Sequence, residues 1–228
     1  MMGEFIRGEG GLRRRKWCLH FSLLLLAGAA VPPMTVAAPA KAPPTVVVVG
    51  DSLSAEYGIA RGSGWVALLD QRLREEKVAA QVVNASVSGD TTSGGRSRLP
   101  ALLKEYKPAV VILELGGNDA LRGLPLKMTQ DNLSAMTRAA KAAGARVVLA
   151  GMQVPPNYGR RYGEDFAALF ANVAKTQGAA LVPFLLAGVA DGPDADKLFQ
   201  SDRIHPLAQA HPRILDNVWP VLRPLLVK

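Results

Sequence analysis

Four consecutive valines, Val46 to Val49, constrain the fold more than any other stretch of this chain. β-Branched side chains are stiff at χ1 and pack well on an extended, pleated backbone. A strand with one wet face alternates apolar and polar residues, and this run does not alternate. It is therefore expected to be a strand buried on both faces, as in the parallel sheets of α/β proteins. The run stops at Gly50, and Asp51 and Ser52 follow. In an open α/β sheet ligands bind outside the carboxyl ends of the strands. Ser52 is thus placed by a rigid element and turned toward a crevice.

The remaining elements follow the same rhythm. A helix is expected from Trp65, where Val66, Leu69 and Leu73 recur at helical spacing up to the charged run ending at Lys77. Gln81 to Asn84 reads as a short strand, Ser93 to Tyr106 as a helix, and Ala109 to Leu115 as a second buried strand. Thr129 to Ala143 is a helix stopped by Gly144, and Arg146 to Ala150 a strand. Tyr162 to Thr176 is a helix, Ala180 to Pro183 a last short strand, and the chain from Pro206 onward is helical, disturbed by Pro212 and Pro220. Strands alternating with helices imply right-handed crossovers and a parallel sheet covered on both faces. The expected architecture is one three-layer α/β/α domain over residues 41–228, with a mostly parallel, flavodoxin-like sheet of five strands. Asp51-Ser52, Gly89-Asp90 and Asn118-Asp119 all follow apparent strand ends, so this topology gathers them at one edge.

Residues 1–40 read differently. Arg7, Arg13, Arg14, Arg15 and Lys16 precede an apolar run from Cys18 to Val31, and Ala38-Pro39-Ala40 offers a small-residue cleavage site. These are the parts of a secretory signal peptide, and the apolar run is short for a bilayer span. The mature protein is expected in the periplasm or secreted, as a monomer without a membrane span. Cleavage would lower the formal charge of +8 by the leader's five basic and two acidic side chains, leaving mild basicity. No basic stripe interleaved with aromatics argues for nucleic-acid binding. The one cysteine, Cys18, lies in the leader, so the rest has no disulfide, thiol nucleophile or cysteine metal site.

A serine hydroxyl needs a base within hydrogen-bond reach, and the base needs an orienting group. Only His205 and His211 remain after the leader. His205 has Asp202 three residues ahead, a spacing at which one local turn holds the carboxylate against one ring nitrogen. His211 has no such partner and is expected to be a surface or packing residue. An oxyanion would need preorganised donors. The Ser52 and Gly89 amides are the backbone candidates and Asn118 the side-chain candidate. Structural alternatives stand beside each reading: a capping turn at Gly50-Asp-Ser52, a plain turn at Gly116-Gly-Asn-Asp119, a capping pair at Asp202 and His205. Two histidines and scattered carboxylates give no ligand-spaced cluster, so neither a metal nor a cofactor is expected.

With these residues in place, the chain resembles the SGNH (GDSL) hydrolases. Gly50-Asp-Ser-Leu-Ser54, Gly89 in Asn84-Ala-Ser-Val-Ser-Gly-Asp-Thr91, Gly116-Gly-Asn-Asp119 and Asp202-Arg-Ile-His205 match four of that family's blocks in order. Leu121-Arg-Gly-Leu-Pro125 and Pro155-Pro-Asn-Tyr-Gly-Arg-Arg-Tyr162 are similar to its periplasmic acyl-CoA thioesterase, lysophospholipase and arylesterase branch. The resemblance implies Ser52 as nucleophile, His205 as base and Asp202 as orienting acid. It implies an oxyanion hole from the Ser52 and Gly89 amides and the Asn118 side chain. Arg203 stands where that branch often has glycine, and Leu207 where asparagine is common. The implied substrate is a small acyl ester or thioester, including lipid esters. Apolar, Gly/Pro-punctuated loops at 121–126 and 152–158 are expected to line an acyl pocket, with Leu121, Leu124, Pro155, Asn157 and Tyr158 as substrate contacts; the implied loop after Asn118 is mobile. An O-acetylesterase acting on carbohydrate or peptidoglycan, and a non-catalytic binding protein, are the competing readings.

Overall fold

The computed structural model describes residues 42–227, so the expected leader and its cleavage site lie outside the described residues. The valine strand is β1, Thr45–Gly50. It pairs in parallel with β2, Gln81–Asn84, on one side and with β3, Val110–Glu114, on the other. Beyond β3 lie β4, Arg146–Ala150, and β5, Ala180–Val182, also parallel. The order β2-β1-β3-β4-β5 is the expected flavodoxin-like sheet, and all four pairings are parallel.

Burial on both faces is literal. Val47 and Val49 pack with Val111, Leu113 and Leu149 in one apolar layer, and Val46 and Val48 pack with Val110, Ile112 and Val148 in the other. The first layer is covered by α2 (Thr92–Tyr106), α4 (Leu126–Ala142) and α5 (Arg160–Gln177), which contribute Leu99, Leu133, Met136, Phe166 and Phe170. The second is covered by α1 (Trp65–Glu75) and α7 (His211–Leu222), through Trp65, Leu69, Ile214 and Val218. Period-two strands meeting period-3.6 helices fix which side chain goes to which layer.

Helix boundaries fall within a few residues of expectation, with one exception. The segment after Pro206 forms a short 3-10 turn and then α7, so the helix starts at His211 with Pro212 in its first turn, where a missing N–H costs nothing. Two short helices were not read from the sequence: α3, Gly117–Leu121, where a plain turn was one alternative, and α6, Ala195–Leu198.

β4 ends where side chains no longer fit. Gly151 donates to Val182 O at 2.8 Å and accepts from Leu185 N–H at 2.8 Å. A Cβ on Gly151 would lie 2.3 Å from Pro183 O and 2.9 Å from Val182 O, both backbone atoms that cannot move alone. Gly151→Ala is expected to lower the unfolding free energy by about 2–3 kcal/mol through overpacking. Urea unfolding with an unchanged slope and an earlier midpoint would show it.

Candidate active site

Between β1 and β3 the chain order of the sheet reverses, and connections leave to opposite faces, so a crevice opens at their carboxyl ends. Ser52 follows β1 directly. Its turn is closed by Ala55 N–H donating to Asp51 O at 3.0 Å and Tyr57 N–H to Ser52 O at 3.4 Å. Asn118 follows β3, in the first turn of α3. Gly116 before it has φ of 127°, a conformation only glycine adopts without strain.

The far end of the chain returns to this crevice. Phe199 and Pro206 form an isolated antiparallel bridge, and Gln200 N–H donates to His205 O at 2.8 Å, closing a tight loop. Within it Asp202 Oδ1 accepts the backbone N–H of Ile204 at 2.9 Å and of His205 at 3.1 Å. Asp202 Oδ2 lies 2.6 Å from His205 Nδ1, and His205 Nε2 lies 2.8 Å from Ser52 Oγ. Read from these partners, Nδ1 carries the proton and Nε2 faces the hydroxyl. The Tyr57 ring packs on the imidazole at a centroid distance of 4.4 Å. Partial desolvation pushes the Asp202 carboxyl up, but the hydrogen bonds from the His205 ring and from the two backbone amides outweigh it and hold the group at about 2. Arg203, between these residues, has φ of 57°, so the loop takes a left-handed turn at a non-glycine residue.

The other carboxylates at the strand ends have other partners. Asp119 is buried and accepts from Thr92 N–H at 2.9 Å, from the Thr92 hydroxyl and from Thr129 Oγ1 at 3.2 Å, tying α3 to the starts of α2 and α4. Asp90 pairs with Arg98 Nε at 2.7 Å. The same guanidinium donates to Ala85 O, and to Gly50 O at 3.2 Å. Val87 N–H also donates to Gly50 O at 3.0 Å, and Asn84 Nδ2 to Ser54 O at 2.7 Å. These bonds stitch the loop carrying Gly89 onto the Ser52 turn. Gly89 itself has φ of 79°, and its carbonyl accepts from Arg122 Nη2 at 2.7 Å.

Asp51 and Glu114 form a buried carboxyl pair beneath Ser52. Glu114 Oε2 accepts from Ser54 Oγ at 2.5 Å and from Asp51 N–H at 3.2 Å, and Ser54 Oγ accepts from the indole of Trp65 at 3.2 Å. Asp51 accepts from Leu53 N–H at 3.1 Å and from Asn118 Nδ2 at 3.0 Å. Burial dominates both groups: it raises Asp51 to about 6 against these hydrogen bonds, and lifts Glu114 well above the carboxylate range, with the Asp51 charge adding to it.

His211 is a packing residue rather than a surface one. It is 2 % exposed, and its Nδ1 accepts the Trp65 N–H at the start of α1 at 3.0 Å. Burial lowers its pKa, consistent with a neutral ring acting as acceptor. Arg160 and Arg161 are exposed and stand opposite Glu164 and Asp165 one helical turn on.

A cleft of about 590 Å³ opens over Ser52, Asn118 and His205. Leu121, Pro155 and Tyr158 stand on its wall, with Met152 and Val154 beside them. Leu124 and Asn157 are not wall residues, nor is Gly89; Asn157 is exposed, and Leu124 turns back so that its N–H donates to Asp119 O at 2.9 Å. A second wall, Phe184, Leu186, Phe199 and Ile204, went unread in the sequence; Arg203, singled out there as a departure from glycine, stands among them. Phe184 follows the end of β5, so the strand-end rule applied to Ser52 and Asn118 would have found it. Among the described residues no group of three His, Cys, Asp or Glu side chains is placed to hold a metal ion.

Residues 48–213, which carry every one of these groups, match the GDSL-like Lipase/Acylhydrolase family. The chain belongs to that family. It is an ester-hydrolysing enzyme. It is 53% identical over 182 residues to the esterase TesA of Pseudomonas aeruginosa, spanning 80% of this chain and 89% of the relative. It is 42% identical to thioesterase 1/protease 1/lysophospholipase L1 of Escherichia coli K12, spanning 82% of this chain and 87% of that one. The crystal structure of TesA superposes with a TM-score of 0.77 at 53% identity, covering 80% of this chain and 99% of the crystallised one.

The raised Asp51 has a definite sign in stability. Its proton is retained in the native state from about pH 3.8 to about 6, so the stability it contributes is complete below 3.8 and lost as the pH rises through 6. Unfolding free energy is expected to fall across that window by on the order of 2–3 kcal/mol on this account. Asp51→Asn should flatten the decline, as urea titrations between pH 4 and 7 would measure.

Proposed function

We propose that this hydrolase transfers acyl groups through a covalent acyl-enzyme, with Ser52 as nucleophile, His205 as general base and then acid, and Asp202 as the group that orients and charge-balances the imidazole. The observation that carries this reading is the unbroken relay from Ser52 Oγ through His205, at 2.8 Å and 2.6 Å, to the Asp202 carboxylate. Ser52 Oγ attacks the carbonyl carbon as His205 Nε2 takes its proton. The alcohol or thiol leaves with that proton, and a water, deprotonated by the same nitrogen, then releases the acid. Negative charge on the carbonyl oxygen would be held by the Ser52 and Gly89 amides and by Asn118 Nδ2. Ser52→Ala and His205→Ala are each expected to lower kcat for p-nitrophenyl butyrate at least about 10⁴-fold, and Ser52→Ala to abolish labelling by a fluorophosphonate. Near-native turnover in either variant would refute the assignment.

We further infer acyl esters and thioesters, lysophospholipids among them, as substrates. The cleft walls are largely apolar and its volume suits a medium acyl chain, while a carbohydrate O-acetylesterase calls for a more polar pocket. Relatives named as an esterase and as a thioesterase/lysophospholipase favour the same range. Export of a monomeric enzyme to the periplasm or medium, after removal of residues 1–40, fits the leader-like sequence; among the described residues no helix is long and apolar enough to cross a membrane. Phe184→Ala should shift the octanoate-to-acetate ratio of kcat/KM by about threefold or more, since one methylene in an apolar pocket is worth roughly tenfold or more. Leu124→Ala, off the wall, should leave that ratio unchanged.

A further inference from the structure

Neither the proton relay nor the acyl cleft needs the buried carboxyl of Asp51. The relay ends in Asp202, on a different loop. Yet Asp51 is 2 % exposed in a place where its charge is disfavoured, and both of its oxygens are occupied. Oδ1 accepts Leu53 N–H at 3.1 Å, which sets the turn immediately after Ser52. Oδ2 accepts Asn118 Nδ2 at 3.0 Å, across 67 residues of sequence. A cap for the local turn needs only the first of these bonds.

The second has a chemical consequence. The terminal torsion of an asparagine is broad and roughly two-fold, so an untethered carboxamide presents either its oxygen or its nitrogen to a cavity. An oxygen facing the developing oxyanion would repel it. A carboxylate is a strong acceptor, so Oδ2 holds the NH2 end of Asn118 on its own side. One hydrogen of Nδ2 is spent on Asp51, and the other belongs to a side chain that lines the cleft with Ser52. Through Leu53 the same carboxyl fixes the backbone that carries the Ser52 amide. We propose that Asp51 is the positioning residue of the oxyanion hole, fixing the Asn118 carboxamide nitrogen-inward and setting the nucleophile turn against it. This rests on the reading of Asn118 as an oxyanion donor.

The tether acts only where charge develops on the carbonyl oxygen, so it lowers the barrier more than it tightens substrate binding. The test is a double-mutant cycle between Asp51 and Asn118 on p-nitrophenyl butyrate, read as separate kcat and KM, with affinity for an alkyl boronic acid as a tetrahedral-adduct probe. Asp51→Ala is expected to lower kcat about 10- to 100-fold with KM within about threefold, a part of the roughly 100- to 1000-fold lost with a whole donor. Boronate affinity should fall by a similar factor, and adding Asp51→Ala to Asn118→Ala should slow it by clearly less than Asp51→Ala slows the wild type, the remainder being the Leu53 route. Asp51→Asn, isosteric but with one acceptor oxygen for two donors, guards against misfolding: it should also be slower, about tenfold, while unfolding at higher urea than the wild type at pH 7. A carboxyl that served only the fold would lose stability and activity together. If Asn118→Ala is slow but Asp51→Asn keeps wild-type kcat, or the two losses multiply, the positioning role is overturned and the oxyanion reading survives. If Asn118→Ala keeps wild-type kcat, both fall.

Discussion

Enclosure of β1 and β3 on both faces is the constraint on which everything else in this molecule depends. Once Val46 and Val48 face one helical layer and Val47 and Val49 the other, no polar side chain has a place along the strand. Polar chemistry can begin only where the strands stop, at their carboxyl ends. Ser52 and Asn118 lie there because β1 and β3 are neighbours and the connections from them leave to opposite faces.

Two carboxyl groups at this edge show how environment divides their roles. Asp202 sits on an exposed loop and receives three hydrogen bonds, one from the His205 ring and two from backbone amides, so it stays ionised at any ordinary pH and can balance an imidazolium. Asp51 sits inside the protein, against Glu114, and resists ionisation. The first is suited to balancing charge on the imidazole and the second to holding neighbours in place. Below them, Trp65, Ser54 and Glu114 form a buried hydrogen-bonded chain that anchors the Ser52 turn to α1. Glu114 Oε1 has no partner among the described residues, so this anchoring costs stability at the site it supports.

The same edge also carries backbone strain. Gly89 and Gly116 take up positive φ without penalty, but Arg203 holds φ of 57° in the loop that presents Asp202 and His205. That loop is over-determined by the bridge at its base, by the Gln200 to His205 bond and by the Asp202 carboxylate accepting two amides within it. The local bonds keep the imidazole aimed while the residue between the two functional groups bears the strain. Its side chain stands on the cleft wall, where a smaller residue would leave neither charge nor bulk.

What the sequence determined by itself was local. The valine run implied a strand buried on both faces, the punctuation by glycines and prolines implied the alternating elements, and the three-residue spacing of Asp202 and His205 implied their contact, because each follows from short-range sterics and periodicity. Only the tertiary structure decided the rest. It placed Ser52 against a histidine 153 residues away. It joined Asp51 to Asn118, buried His211 under α1, and chose Phe184 and Ile204 over Leu124 and Asn157 as cleft walls. These are outcomes of how layers close around one sheet, and no local pattern encodes which distant side chains will share a surface once it has closed.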